Sequence, residues 1–277
     1  MKKLKITKNT IRAGISIDNE GNFVFDWKVD DSYNDIVKLV EHTGGTFNKD
    51  DIMYIYAYMF YPNADNKHIN KFRSALKDEL EDSSIFYSED ISDFVGAGVL
   101  HIEEYISFKE IGATINIAST KLNTSLLDLI SSHISDNLPG YHVSLELVKR
   151  MYEGVQFDSE KSLSALLDTG RYSEGRARKQ VEFTVRKFEE LKKTKTMFEI
   201  KRFIPKELRV GFSNFLYFER EEHRTLYEAL QDTVVLVYDD IYTSGSTVNE
   251  IISYIKSIHN NNKLVVFVLL SDTLQSA

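Results

Sequence analysis

Hydrophobic and polar positions alternate through Ile11–Ile17, break at the turn-forming run Asp18-Asn19-Glu20-Gly21-Asn22 and resume at Phe23-Val24-Phe25-Asp26-Trp27, which predicts a β-hairpin. Ile36, Val37, Leu39 and Val40 predict a short helix over 31–41, closed by Gly44-Gly45. Residues 52–61 are apolar at both phases of a two-residue repeat, as a strand buried on both faces requires, although a buried helix would read the same way. Ile69, Phe72, Leu76 and Leu80 recur at three- and four-residue steps, and Phe94, Val95, Val99, Leu100 and Ile102 keep similar spacing. Both sets predict amphipathic helices, over 66–80 and 91–105.

From Gly112 onward the pattern becomes regular. Short β-like runs at 113–118, 141–148, 233–238 and 264–270 are interleaved with helical patterns at 125–134, 156–167, 176–193 and 247–259. Pro205 opens a further helical segment that ends near Gly211, and a loop over 239–246 joins the third β-like run to the last helix. Strands alternating with helices predict a parallel sheet with right-handed crossovers and helices on both faces. The expected fold is therefore α/β, with a mixed α+β region over 1–110 and an α/β core over 111–277.

Composition narrows the function classes. Hydrophobic residues make up 42% and charged residues 27%, as in ordinary globular domains. The chain has no cysteine, which excludes disulfides, thiolate zinc sites and cysteine nucleophiles and fits a reducing compartment. No apolar run approaches the roughly 20 residues of a membrane helix, and no apolar stretch follows the N-terminal lysines, so a cytoplasmic protein without membrane contact is expected. The formal net charge of -8 argues against wrapping nucleic acid with the whole surface. Residues 171–209 nevertheless hold 13 Lys/Arg against 6 Asp/Glu, which reads either as a solvated helical face or as an anion-binding wall for a protein or nucleic-acid partner.

The stretch with the most chemistry is Val234-Val235-Leu236-Val237-Tyr238-Asp239-Asp240-Ile241-Tyr242-Thr243-Ser244-Gly245-Ser246-Thr247. An apolar strand runs into two carboxylates, then into a small, hydroxyl-rich turn that opens a helix. In α/β folds this carboxyl end of a parallel strand is where ligands sit. The small side chains of Thr243, Ser244, Gly245, Ser246 and Thr247 let backbone N–H groups converge, and the helix adds its positive N-terminus, a combination suited to one phosphate. The loop has no lysine and is not a P-loop. Asp239 and Asp240, acceptors only when ionised, would take hydrogen bonds from a vicinal diol such as that of ribose. An isolated Asp-Asp pair would be read as a helix cap or solvated turn; its apolar strand and small-residue turn reverse that reading.

Residues 235–247 closely resemble the phosphoribosyl pyrophosphate (PRPP) signature of type I phosphoribosyltransferases: apolar strand, Asp-Asp, then Ile-x-Thr-Ser-Gly-x-Thr. Tyr238 departs from it, since the family usually has a small aliphatic residue there; a tyrosine would either repack the strand or close over the ribose. The resemblance implies a phosphoribosyltransferase-like core over 111–277 and substrate binding by residues 243–247. Asp239 and Asp240 would act as the catalytic carboxylates, and Mg2+ would be the cofactor, brought with the pyrophosphate and not held by a protein ligand set.

The family's pyrophosphate loop follows the first core strand, which places it here at Ser119, Thr120 and Lys121. Basic residues that cover the pyrophosphate would come from 171–209, with Arg176, Arg178, Lys179, Lys201, Lys206 and Arg209 as candidates and Lys201 and Arg209 the expected pair. The 201–209 segment resembles a Lys-x-x-Pro-x-x-x-Arg arrangement of divergent members, including ones encoded beside bacterial retrons and other defence genes. A substrate-specific hood would come from 1–110, where Tyr54, Tyr56, Tyr58 and Tyr61 read as base-stacking or core residues. The resemblance implies transfer of phosphoribose from PRPP to a nitrogen nucleophile, by a chain that often pairs as a homodimer. The alternative is a non-catalytic regulator or antiviral defence component that binds nucleotide, nucleic acid or a protein. A sugar-phosphate hydrolase is disfavoured, because the seven histidines are scattered and none has the setting of a general base.

Overall fold

The computed structural model describes residues 11–18, 23–26, 52–60, 67, 69, 70, 72, 76, 88–117, 126–193, 197, 198, 204–242, 245–258 and 261–271. The expectations for 31–45, Tyr61, Ser119, Thr120, Lys121, Lys201, Thr243 and Ser244 lie outside these residues.

Among the described residues, ten strands form in chain order: β1 (Ile11–Ile17), β2 (Phe23–Asp26), β3 (Ile52–Phe60), β4 (Ile111–Ile117), β5 (Val143–Lys149), β6 (Gln156–Phe157), β7 (Phe212–Ser213), β8 (Leu216–Tyr217), β9 (Val234–Tyr242) and β10 (Lys263–Ser271). Six longer helices accompany them: α1 (Ser88–Leu100), α2 (Leu126–Asn137), α3 (Ser159–Asp168), α4 (Glu174–Lys192), α5 (Glu221–Ala229) and α6 (Ser246–Ile258). Eight of the strands make one sheet in the order β2-β1-β3-β10-β9-β4-β5-β8. The six inner strands are parallel, and antiparallel β2 and β8 close the two edges. The fold is α/β with a large, mostly parallel sheet.

Two apolar layers sandwich this sheet. Val235 and Val237 of β9 face one layer with Ala113 and Ile115 of β4, covered by buried residues of α3, α4 and α6. Leu236 and Tyr238 face the other with Ile55 and Tyr58 of β3 and Phe267 of β10, covered by α1, α2 and the helical residues Ile69, Phe72 and Leu76. Burial on both faces explains why β3, β9 and β10 read as continuous apolar runs and not as alternating ones. Strands of the 1–110 region and of the 111–277 core share the sheet, β3 lying parallel to β10 through register pairs such as Ile55 with Phe267.

Four local expectations change. The helix expected over 156–167 starts later: Gln156–Phe157 is a short strand paired with β7, and Asp158 caps α3 by accepting the N–H of Lys161 at 2.9 Å. The helix expected over 91–105 ends in a 3-10 turn at His101–Glu104. The Pro205 segment is a 3-10 helix, Lys206–Gly211. Most consequentially, β9 continues through Asp239, Asp240, Ile241 and Tyr242, so the acidic pair stands on the strand and not in the loop.

Candidate functional site

β4 leads by a crossover to β5 on one side, and β9 leads to β10 on the other, while β4 and β9 themselves pair in parallel. Their carboxyl ends therefore flank the point where strand order reverses, the position at which open α/β sheets leave a crevice for ligands. Register fixes what stands there. Ile115 pairs with Val237, so Ile117, the last residue of β4, is level with Asp239. On the other side Asp239 pairs with Val268 and Tyr242 with the fully buried Ser271.

Strand alternation sends the two carboxylates to opposite faces. Asp239 follows Val237 toward the α6 side and is partly exposed, whereas Asp240 follows Tyr238 and is 8% exposed. Each carboxylate is braced by the backbone just ahead of it. The N–H of Asp240 donates to Asp239 Oδ1 at 2.9 Å, and the N–H of Ile241 donates to Asp240 Oδ1 at 2.7 Å.

Beyond Tyr242, Gly245 adopts φ +68°, a left-handed conformation natural to glycine, and lets the chain turn sharply into α6. Its carbonyl accepts the N–H of Asn249 at 2.8 Å, the first bond of the helical ladder. Ser246 is buried at 8% and Thr247 half-buried, at the start of a helix anchored by Val248, Ile251 and Ile252. The sharp strand-to-helix elbow thus brings Asp239, Asp240, Gly245, Ser246 and Thr247 to one end of the sheet.

Tyr238 packs into the interior. It is 2% exposed in the layer covered by α2. Burial pushes the phenol up to about 12. Tyr56 and Tyr58 are likewise fully buried; Tyr58 stacks on Phe94 at 3.9 Å and donates its hydroxyl to the Phe94 carbonyl at 2.9 Å. Tyr54 stacks beside Tyr56 at 6.2 Å.

Arg209 lies elsewhere in the architecture, on the 3-10 helix that packs against α3 and β7. Its Nε donates to the Ile204 carbonyl at 3.0 Å, and burial pulls its guanidinium below the usual range despite nearby Glu207.

The switch point holds a further polar residue, on β4. Asn116 on β4, one residue beyond the Ile115–Val237 pair, is 7% exposed, and among the described residues its Oδ1 has no hydrogen-bond partner. A buried acceptor left unpaired is costly unless a water or ligand completes it. The signal was present as a polar residue within the apolar run Ile115-Asn116-Ile117.

Among the described residues no group of three or more His, Cys, Asp or Glu is placed to hold a metal ion. The two hard carboxylates nevertheless suit Mg2+ that arrives already bound to a pyrophosphate. No helix among the described residues is long and apolar enough to cross a membrane. In comparisons with known proteins, no family model and no curated protein matches the chain.

Proposed function

We propose that the chain is a phosphoribosyltransferase-like protein that binds PRPP, or a nucleotide containing ribose 5-phosphate, at the carboxyl ends of β4 and β9. The observation that carries this reading is the braced acidic pair at the end of a central parallel strand, followed within five residues by a left-handed glycine and a helix N-terminus. The 5′-phosphate would sit against residues 243–247, and Asp239 and Asp240 would accept from the ribose hydroxyls. Mg2+ would neutralise the pyrophosphate, next to the loop at Ser119, Thr120 and Lys121.

In the transfer itself the bond from C1′ to the pyrophosphate oxygen breaks and its electron pair leaves with pyrophosphate. A bond forms between C1′ and a nitrogen of the acceptor, whose N–H proton is lost to water. No covalent nucleophile is needed, because the protein's task is to orient the sugar and balance charge as it develops. Asp239 and Asp240 serve that task by fixing the ring through its hydroxyls while placing negative charge near an increasingly cationic sugar.

Mixing the protein with PRPP, Mg2+ and pooled nitrogen acceptors, and assaying pyrophosphate, tests turnover. Acceptor-dependent release is expected. Saturable PRPP binding without any release would instead assign the site to a non-catalytic regulator.

A further inference from the structure

Of the 13 Lys/Arg in residues 171–209, six lie on α4, beside four Glu. Its buried stripe, Ala177, Val181, Thr184 and Phe188, packs into the core, with Phe188 set edge-on to Phe212 at 5.2 Å. A different stripe faces an open groove of about 840 Å³, lined in part by Arg176, Lys179, Phe183 and Arg186 together with Arg171 and Tyr172. At 1.5 Å rise per residue, the cations from 176 to 186 span about 15 Å of one helix.

Most cations on an exposed helix are partnered or simply solvated, and α4 has both kinds. Arg178 pairs with Glu174 at 2.8 Å and Lys187 with Glu190 at 3.2 Å. Among the described residues, however, Arg176, Lys179 and Arg186 form no ion pair, although all three are exposed. Among the described residues, Glu182 is the single carboxylate lining the groove, against four Lys/Arg. Phe183 sits among these cations and is 54% exposed, a large apolar ring left in water on an otherwise charged face.

We propose that this groove binds a short single-stranded polynucleotide. Phosphates would lie along Arg176, Lys179 and Arg186, and an unpaired base would stack on Phe183. This joins the two features that sequence-tolerant single-strand binding uses, a positive track and an aromatic platform. Charge complementarity is strong because the track is locally positive on a chain of net charge -8, which confines a polyanion to this face. An acidic peptide would satisfy the cations but leave Phe183 uncovered, and a duplex would offer no open base face to the ring.

Fluorescence anisotropy on the full chain with labelled 12-mers of oligo-dT and oligo-U, a duplex of equal length and poly-glutamate provides the test. Saturable binding of at least one single strand is expected, at least tenfold tighter than of the duplex or poly-glutamate. Phe183→Ala should weaken it by about tenfold. Arg176→Glu with Lys179→Glu and Arg186→Glu should abolish it at moderate salt; neutralising the three cations to Gln should lower the salt slope of log K by about 2. All these positions are exposed, so circular dichroism should show the variants folded. Absence of single-strand binding at low salt, equal affinity for poly-glutamate, or affinity indifferent to Phe183→Ala overturns the proposal. Preference for oligo-dT or for oligo-U tells which polynucleotide the groove favours, and either meets the proposal.

Discussion

Tyr238 immediately precedes the acidic pair, where a phenol can face a bound sugar or the protein interior. Its burial under α2 gives it an architectural role. Tyr238→Phe keeps the buried ring and should therefore change stability by less than about 1.5 kcal/mol in urea unfolding and leave PRPP affinity unchanged. A large loss of affinity with normal stability would place the hydroxyl on the sugar instead. Asp239 and Asp240 follow Tyr238 on the same strand, each accepting the N–H of the next residue: Asp239 is partly exposed on the face of Val237, and Asp240 is 8% exposed on the face of Tyr238. The identity of these residues was legible in the sequence; their opposite orientations were not, because the loop expected to begin at 239 has no fixed alternation, whereas the strand that is found there does.

At the scale of elements, the β9–α6 elbow depends on Gly245. A β-branched residue at φ +68° is strained by about 1–2 kcal/mol and fills the space in which backbone N–H groups would meet a phosphate. Gly245→Val should lower the melting temperature and remove ribose 5-phosphate binding; normal binding by the folded variant would contradict the cradle.

The same helix carries a second device. Glu250, 7% exposed on α6, accepts the Phe215 N–H at 2.9 Å, pinning the turn between β7 and β8. Burial raises its carboxyl above the usual range, and hydrogen bonding to the backbone opposes the rise only in part. A raised carboxyl binds its proton more tightly in the folded chain than in the unfolded one, so Glu250's contribution to stability falls as pH climbs from the ordinary carboxylate range through the raised value. In Glu250→Gln that slope should vanish: the stability of wild type relative to the variant should decline as pH rises above the ordinary carboxylate range in urea titrations. A flat difference would contradict the raised carboxyl.

The β7–β8 turn and α5 were the least legible elements. Two-residue strands have no periodicity to detect, and only Tyr227 of α5 is fully buried, so its apolar stripe is too thin to register.

Across the whole molecule, the alternation from Gly112 onward foretold the parallel sheet because each strand there is flanked by turn-forming residues and a periodic helix. That β3 lies beside β10 could not be read from the chain, since pairing at such separation depends on matching two uniformly apolar surfaces. Charge is distributed unevenly along the chain: acidic overall, basic over residues 171–209, and acidic again at the end of β9. The switch point between β4 and β9 is where topology, carboxylates and a left-handed glycine meet.

Isothermal titration of PRPP in the presence and absence of Mg2+, into the wild type and into Asp239→Asn with Asp240→Asn, measures this directly. Each lost charge-assisted bond is worth about 1.5–3 kcal/mol, so the double variant should bind at least about a hundredfold more weakly while melting at a similar temperature. Mg2+-dependent heat in the wild type that disappears in the variant is the expected result; equal affinity in the two proteins, or no binding by the wild type, would contradict it.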